Sequence, residues 1–543
     1  MDAAAYRQHV IARLNDYFRA EGILWTRRLW DVGSILALEE LYEVGIWQPR
    51  KVIAPSAMDW HRRQLKRLVG PDHGMGDKNL RRELVALLES SQLADPSPGH
   101  RRLRQLIDHA RVDYLDRWSA ALQAGKECKP ERLARTMASH LLDLGYTAEF
   151  LTSWIAGFSR SHATINDIIV AASDLARQPT REFTVLLALD TIPNRAVAEQ
   201  TSGWLHRGAV VDWLKTHGHD SSGVRSGGGF EYKISARDSY AAAEKARQVY
   251  ERLLARSQFI RKNRGGLTAL PQLWVAGHSE PLALAGRARS ADVLALVHMN
   301  HLYDANGQRS PIDDALELAA PINQSGAPGP AVAGAWAAVE SLLAHPGDPS
   351  EEERSGKAIA ADRLAKIIAC SWPRAELTTL VYRHKATGPG DDLVRRATSC
   401  DTNRERAQVM LAEIEANKLG NLNFAGLTRY NDLAAAERVL ECTNDPKRIL
   451  NEISEAVTIA LRRLYRARNM VLHGGSTSSV VLEAALRTAA PLVGAGLDRI
   501  AHHFFESSTN PLDLAARAEL AIDLVGGDTT LSLVDLLERA GTR

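Results

Sequence analysis

The sequence predicts a mainly α-helical protein in three parts: a helical region over residues 1–180, a small α/β unit over 181–329 and a C-terminal helical bundle over 330–543. Three observations lead there. A length of 543 residues suits about three domains. Apolar residues recur at helical spacing toward both ends of the chain. Only the middle holds short β-branched, apolar runs alternating with helical stretches, the pattern of an α/β unit.

Composition narrows the function classes. Hydrophobic residues make up 45% and charged residues 24% of the chain, which suits a globular protein that buries several cores without metal or disulfide staples. A formal charge of +2 supplies no global basic field, so any nucleic-acid contact must come from local patches. Cys128, Cys370, Cys400 and Cys442 form no CxxC pair and read as reduced structural thiols. The opening segment is amphipathic, carries acids and lacks an apolar signal core. No run is long and apolar enough to cross a bilayer, so a cytoplasmic location without a membrane partner is expected.

In the first region, Val32–Gly45 and Asp113–Gly125 read as helices, with breaks at Pro55, Pro71, Pro96, Pro98 and Pro130. The basic clusters Arg62–Arg67 and His100–Arg104 fit solvated helix faces better than polyanion sites. In the middle, Phe183–Leu189 reads as a buried strand, Asn194–Thr216 as one helix and Gly223–Gly229 as a flexible loop. Phe230–Ala236 then alternates like a strand, Ser239–Ser257 is a long helix, and Leu273–Ala276 is a further strand. The triple glycine precedes a strand instead of following one, and no GxxxxGK[ST] occurs, so no built-in NTPase is expected. His217, His219 and Asp220 lack a second cluster at ligand spacing, and His298 and His301 lack an acid on their helix face. No metal and no cofactor are therefore expected.

In the third region Pro330–Ala344 reads as a helix, Lys357–Cys370 as another stopped by Trp372-Pro373, and Arg374–His384 as a short third. Arg404–Lys418 and Leu433–Cys442 follow. A long helix, Pro446–His473, stops at Gly474-Gly475, and Val480–Phe505 and Pro511–Leu524 complete the bundle.

The chemistry concentrates at the end of that long helix. At about 100° per residue, Val457, Leu461, Leu464, Val471 and Leu472 form an apolar stripe with Arg468 inside it. A guanidinium there must snorkel, pair with a carboxylate or face an anionic ligand. Tyr465, Asn469 and His473 climb one flank at i, i+4 spacing, and His473 projects at the helix end. Imidazole is the natural acid/base near neutral pH, and arginine the natural partner of a phosphate. The trio suits phosphodiester cleavage without a metal. The alternative is structural: Arg468 pairs with a core glutamate such as Glu340, and His473 caps carbonyls.

Arg468-Asn469-Met-Val-Leu-His473 resembles the R-N-x-x-x-H signature of the HEPN superfamily. Leu464-Tyr465 and Gly474 look like the flanks of its Apea-like members. Ala335–Leu343 and Ala361–Ile368 resemble the first two bundle helices, and the segment from Ala236-Arg237-Asp238 into Ala241–Ala246 looks like the region ahead of some of these domains. The resemblance spans roughly residues 230 to 525.

It implies an endoribonuclease whose two bundles pair, so that both motifs share one cleft and leave a 2′,3′-cyclic phosphate and a 5′-hydroxyl. His473 would act as acid/base, Arg468 would bind the scissile phosphate and Asn469 would position them. Tyr465 would support the site, and Arg466 together with Tyr465 would contact RNA. The implied partners are RNA, a second copy through the bundle, and a trigger or antidote protein. The implied biology is a restrained toxin or antiphage effector. Some members only bind RNA or nucleotides, or only dimerise, which is the alternative function.

Overall fold

The computed structural model describes residues 2–19, 22–89, 92–260, 266–303, 309–324, 326–349, 358–388, 390–416, 418–477, 479–527 and 531–539. These residues form twenty-two α-helices and one small antiparallel sheet. The first nine helices run from α1 (Ala3–Phe18) to α9 (Ile165–Arg177). Among them, α2 is Ser34–Trp47, α3 is Pro55–Val69, α5 is Pro98–Arg111 and α7 is Pro130–Asp143. Amphipathicity decides their faces: α5 buries His100, Leu103, Ile107 and Ala110, while Arg101 and Arg102 face water. The two basic clusters are largely outward-facing, with Lys66 on Glu89 and Arg104 3.2 Å from Asp108.

The middle contains the sheet. Its strands are β1 (Arg181–Thr191), β2 (Trp204–His206), β3 (Gly228–Ala236), β4 (Thr268–Ala269), β5 (Gln272–Val275) and β6 (Leu282–Ala283). They lie in the order β2-β3-β1-β5-β6, every pairing among the described residues is antiparallel, and β4 also pairs with β1. The period of two along β1 divides its side chains between two layers. Phe183 and Val185 pack with Ala242 and Ala246 of α12 (Ser239–Gln258), whereas Leu186 and Ala188 pack with Val210 and Leu214 of α11 (Arg207–Thr216).

Two expectations for this region change. Asn194–Thr216 is not one helix: α10 (Arg195–Glu199) and α11 are separated by Gly203, at φ +82°, and by the edge strand β2. Trp204 on that strand packs edge-on against Phe230 at 5.3 Å, and this burial outweighs local helix propensity. Nor do all the glycines form a loose connector. Gly228 and Gly229 open β3 opposite Leu189 and Ala188, and a Cβ on Gly228 would strike the Trp204 ring.

The C-terminal helices include α14 (Pro311–Ala319), α15 (Pro328–Leu343), α16 (Ile359–Arg383), α17 (Asp392–Thr398), α18 (Asn403–Glu415) and α19 (Arg429–Asn444). Next come α20 (Pro446–Leu472), α21 (Leu482–Ser507) and α22 (Pro511–Leu524). Trp372-Pro373 does not stop a helix, because α16 continues through Pro373 to Arg383. Its Ser371, Trp372, Pro373 and Glu376 are all buried, so tertiary packing holds the helix across the missing N–H. Lys357, the expected start of that helix, lies outside the described residues.

One continuous apolar core joins the two helical regions, from Val10 and Leu38 in the first to Trp336, Leu364 and Leu464 in the last. Helix α20 is therefore covered on two sides, by the bundle and by the N-terminal helices. No described helix is long and apolar enough to cross a membrane.

Candidate functional site

The end of α20 is set by its glycines. Gly475 adopts φ +64°, and the N–H groups of His473 and Gly474 both donate to the Asn469 carbonyl, at 2.9 and 3.3 Å. The Ser476 N–H reaches the Met470 carbonyl at 3.1 Å. Backbone groups thus cap these carbonyls, which leaves the His473 side chain free to turn elsewhere.

It turns onto Arg468. The Arg468 Nη1 donates to Asn469 Oδ1 at 2.9 Å and to His473 Nε2 at 3.1 Å. A guanidinium can only donate, so Nε2 is the acceptor and the imidazole proton sits on Nδ1. Glu340 is the acid beside this group, 3.8 Å from Arg468 Nη2, beyond hydrogen-bond reach. Its Oε2 accepts from Trp336 Nε1 at 3.0 Å. Arg468 Nε is buried without a hydrogen-bond partner among the described residues. Asn469 is buried, Arg468 is largely covered and His473 is exposed. The result is a preorganised trio whose cation is only loosely compensated and whose imidazole meets solvent.

The other two expected residues lie apart from the trio. Tyr465 is buried one turn earlier with its ring 4.8 Å from Trp336. Arg466 is 2% exposed and donates from Nε to Glu40 of α2 at 2.7 Å, so it does not face solvent with Arg468. Residues two apart on a helix point about 200° from one another, and the Arg466 side is roofed by the N-terminal helices. The apolar stripe also shifts. Leu472 is 52% exposed, while Ala460, Ala467 and Met470 are fully buried. Arg468 sits at the border of the buried face, and the guanidiniums truly inside are Arg463 and Arg466.

Sequence reasoning missed the partner of those two. Glu40 is fully buried, with its Oε2 accepting from Arg463 Nε at 3.0 Å and its Oε1 from Arg466. Burial alone would raise its carboxyl, but Arg466, His61 and Arg463 hold it well below the usual range. His61 of α3 lies 3.7 Å from the same carboxylate, and burial, then Arg466, push it down to about 3. The available signal was a glutamate within the apolar run Ser34–Trp47.

The N-terminal region also touches the end of α20. Trp47 packs against Gly474, where a Cβ would come within 3.0 Å of its ring and 2.6 Å of the Met470 carbonyl. Ser479 Oγ donates to Glu43 Oε2 at 2.7 Å.

Potential ligand groups elsewhere carry less. Ligand atoms of His503, Glu506 and Glu538 lie within 4.8 Å of one another. Arg374 holds Glu538 at 2.6 Å, and burial followed by the Arg499 charge pushes His503 down to about 3, so the surroundings are already cationic. His217 and His219 flank Trp213 at 4.3 and 5.9 Å, and His301 stacks on Phe505 at 4.0 Å.

Compared with known protein families, curated proteins and solved structures, the chain yields no match.

Proposed function

We propose that the protein is a HEPN-type endoribonuclease whose active site is built on Arg468, Asn469 and His473 and completed by a second copy of the chain. The carrying observation is the Arg468 guanidinium, hydrogen-bonded to both Asn469 and His473 beside an exposed imidazole, with its nearest acid 3.8 Å away. An incoming phosphate offers that guanidinium the bidentate acceptor it lacks. Drawing Arg468 onto the phosphate frees His473 Nε2 to take the 2′-hydroxyl proton. The 2′-oxygen then attacks the phosphorus and the 5′-oxygen departs, giving a 2′,3′-cyclic phosphate and a 5′-hydroxyl. In this reading the second motif of the dimer protonates the leaving group, and no cofactor takes part.

Tyr465 supports the site through Trp336, and Arg466 acts on the helix through Glu40 instead of on RNA. The Trp47 and Glu43 contacts are where the N-terminal region could restrain a toxin or antiphage effector until a trigger arrives. Purified protein incubated with total RNA in EDTA, beside Arg468→Ala and His473→Ala, tests the proposal. Cleavage by the wild type alone supports it. Equal cleavage by all three sinks it. RNA retention without cleavage, in a protein that is monomeric at micromolar concentration, favours the binding-module reading.

A further inference from the structure

Between α2, α3, α7 and α20 lies a cleft of about 470 Å³, well within the roughly 300–1,000 Å³ of small-ligand sites. Its lining brings Lys129, Arg132 and Arg135 of the α7 end together with His61, Arg463 and Arg466. The carboxylates along it are already engaged. Asp31 lies 3.2 Å from Arg135, and Glu131 lies 3.1 Å from Arg13 and 2.8 Å from Arg438. Asp72 accepts from Ser34, from Tyr114 at 2.7 Å and from Trp118 at 3.0 Å.

The cations are less well served. Arg463 and Arg466 share the single Glu40 carboxylate, with Asp143 the further acid near Arg463, itself 2.6 Å from Arg487. Arg463 Nη1 and His61 Nδ1 are buried without hydrogen-bond partners among the described residues. Arg463 and His61 side chains are each 4% exposed. Arg132 has the Pro71 carbonyl at 2.7 Å and the Trp118 face at 5.6 Å, and no carboxylate among the described residues. A buried polar group left unpaired is costly, and an excess of guanidinium against a low-dielectric wall favours an anion.

We propose that this cleft binds a small phosphate-bearing anion, with Lys129 and Arg132 gripping its oxygens at the rim and Arg463 facing it from the floor. A phosphate supplies several acceptor oxygens and up to two negative charges, matching planar guanidinium donors. Arg463 and Arg466 belong to the helix that carries Arg468 and His473, so the bound anion bears directly on that helix. The binding claim itself does not rest on RNA cleavage.

Calorimetric titration of the full chain at constant ionic strength, with pyrophosphate in one arm and ATP in the other, tests it. Saturable binding of one probe per chain is expected. Lys129→Ala with Arg132→Ala should weaken it by about tenfold or more, and Arg395→Ala, at an exposed arginine elsewhere, by less than about twofold. Circular dichroism checks that each variant is folded. Tighter ATP binding assigns the site to a nucleotide, and equal binding assigns it to the phosphates alone. No saturable binding of either probe, or equal weakening by Arg395→Ala, overturns the proposal. Neither outcome touches the nuclease assay, which is read separately at His473.

Discussion

Helix α20 carries two arginine groups on opposite sides, and their surroundings divide their roles. Arg463 and Arg466 are buried and share the Glu40 carboxylate, which ties the bundle to the N-terminal helices and leaves one positive charge in excess. Arg468 lies at the border of solvent, 3.8 Å from its nearest acid and hydrogen-bonded to the two polar side chains of its motif. Residue type is the same in both groups. What differs is burial and how closely a carboxylate approaches: Glu40 is hydrogen-bonded to the inner pair, whereas Glu340 stays 3.8 Å from Arg468 at the border of solvent.

The contrast can be broken from either side. The largest expected effect is on activity: His473→Ala and Arg468→Ala should each lower RNA cleavage by about 10²–10⁴-fold, with the melting temperature nearly unchanged. Cleavage assays paired with thermal denaturation check this, and a large loss of stability would mean the trio is structural after all. On the other side, Glu40→Gln leaves two buried guanidiniums without a counter-charge and should cost about 3–5 kcal/mol. Urea denaturation reads that loss, and an unchanged midpoint would refute the buried pair.

Gly474→Ala joins the two sides, since its Cβ would meet backbone at 2.6 Å and the Trp47 ring. It should cost about 1–3 kcal/mol and also reduce cleavage by shifting His473. Acidification should weaken the molecule by a separate route. Burial holds His61 down to about 3 and His140 down to about 4, so both stay neutral in the folded chain while the unfolded chain protonates them near pH 6.5. The unfolded state then binds more protons, and stability falls as pH drops from about 6.5 toward 4, by up to about 1.4 kcal/mol per pH unit for each group. Melting temperatures at pH 7.5 and 5 test this, and His61→Gln should flatten the slope. The smallest effect belongs to Arg67→Ala, which removes an exposed pair with Glu455 and should stay within about 0.5 kcal/mol.

Much of this molecule is legible locally. The start of α20 at Pro446 and its stop at Gly474-Gly475, the span of α22, and the strands β1 and β3 all follow from period, caps and turn residues. What is not legible arises from non-local contacts. A proline continues inside α16 because its surroundings are packed, and Trp204 forms an edge strand because Phe230 lies beneath it. Arg466 reads as an exposed basic residue until Glu40, more than four hundred residues away in the chain, is placed against it.

By itself the sequence determined the mainly helical character, the position of the sheet, and the presence of Arg468, Asn469 and His473 on adjoining positions at a helix end. Those depend on short-range periodicity and on glycine conformation, which neighbouring residues set. Only the tertiary structure decided which arginines of α20 are buried against a carboxylate, that the N-terminal helices share one core with the bundle, and that Trp47 and Glu43 meet the segment after His473. The physical reason is that burial and counter-charge are properties of the assembled surroundings, so chemically identical guanidiniums two positions apart acquire opposite fates.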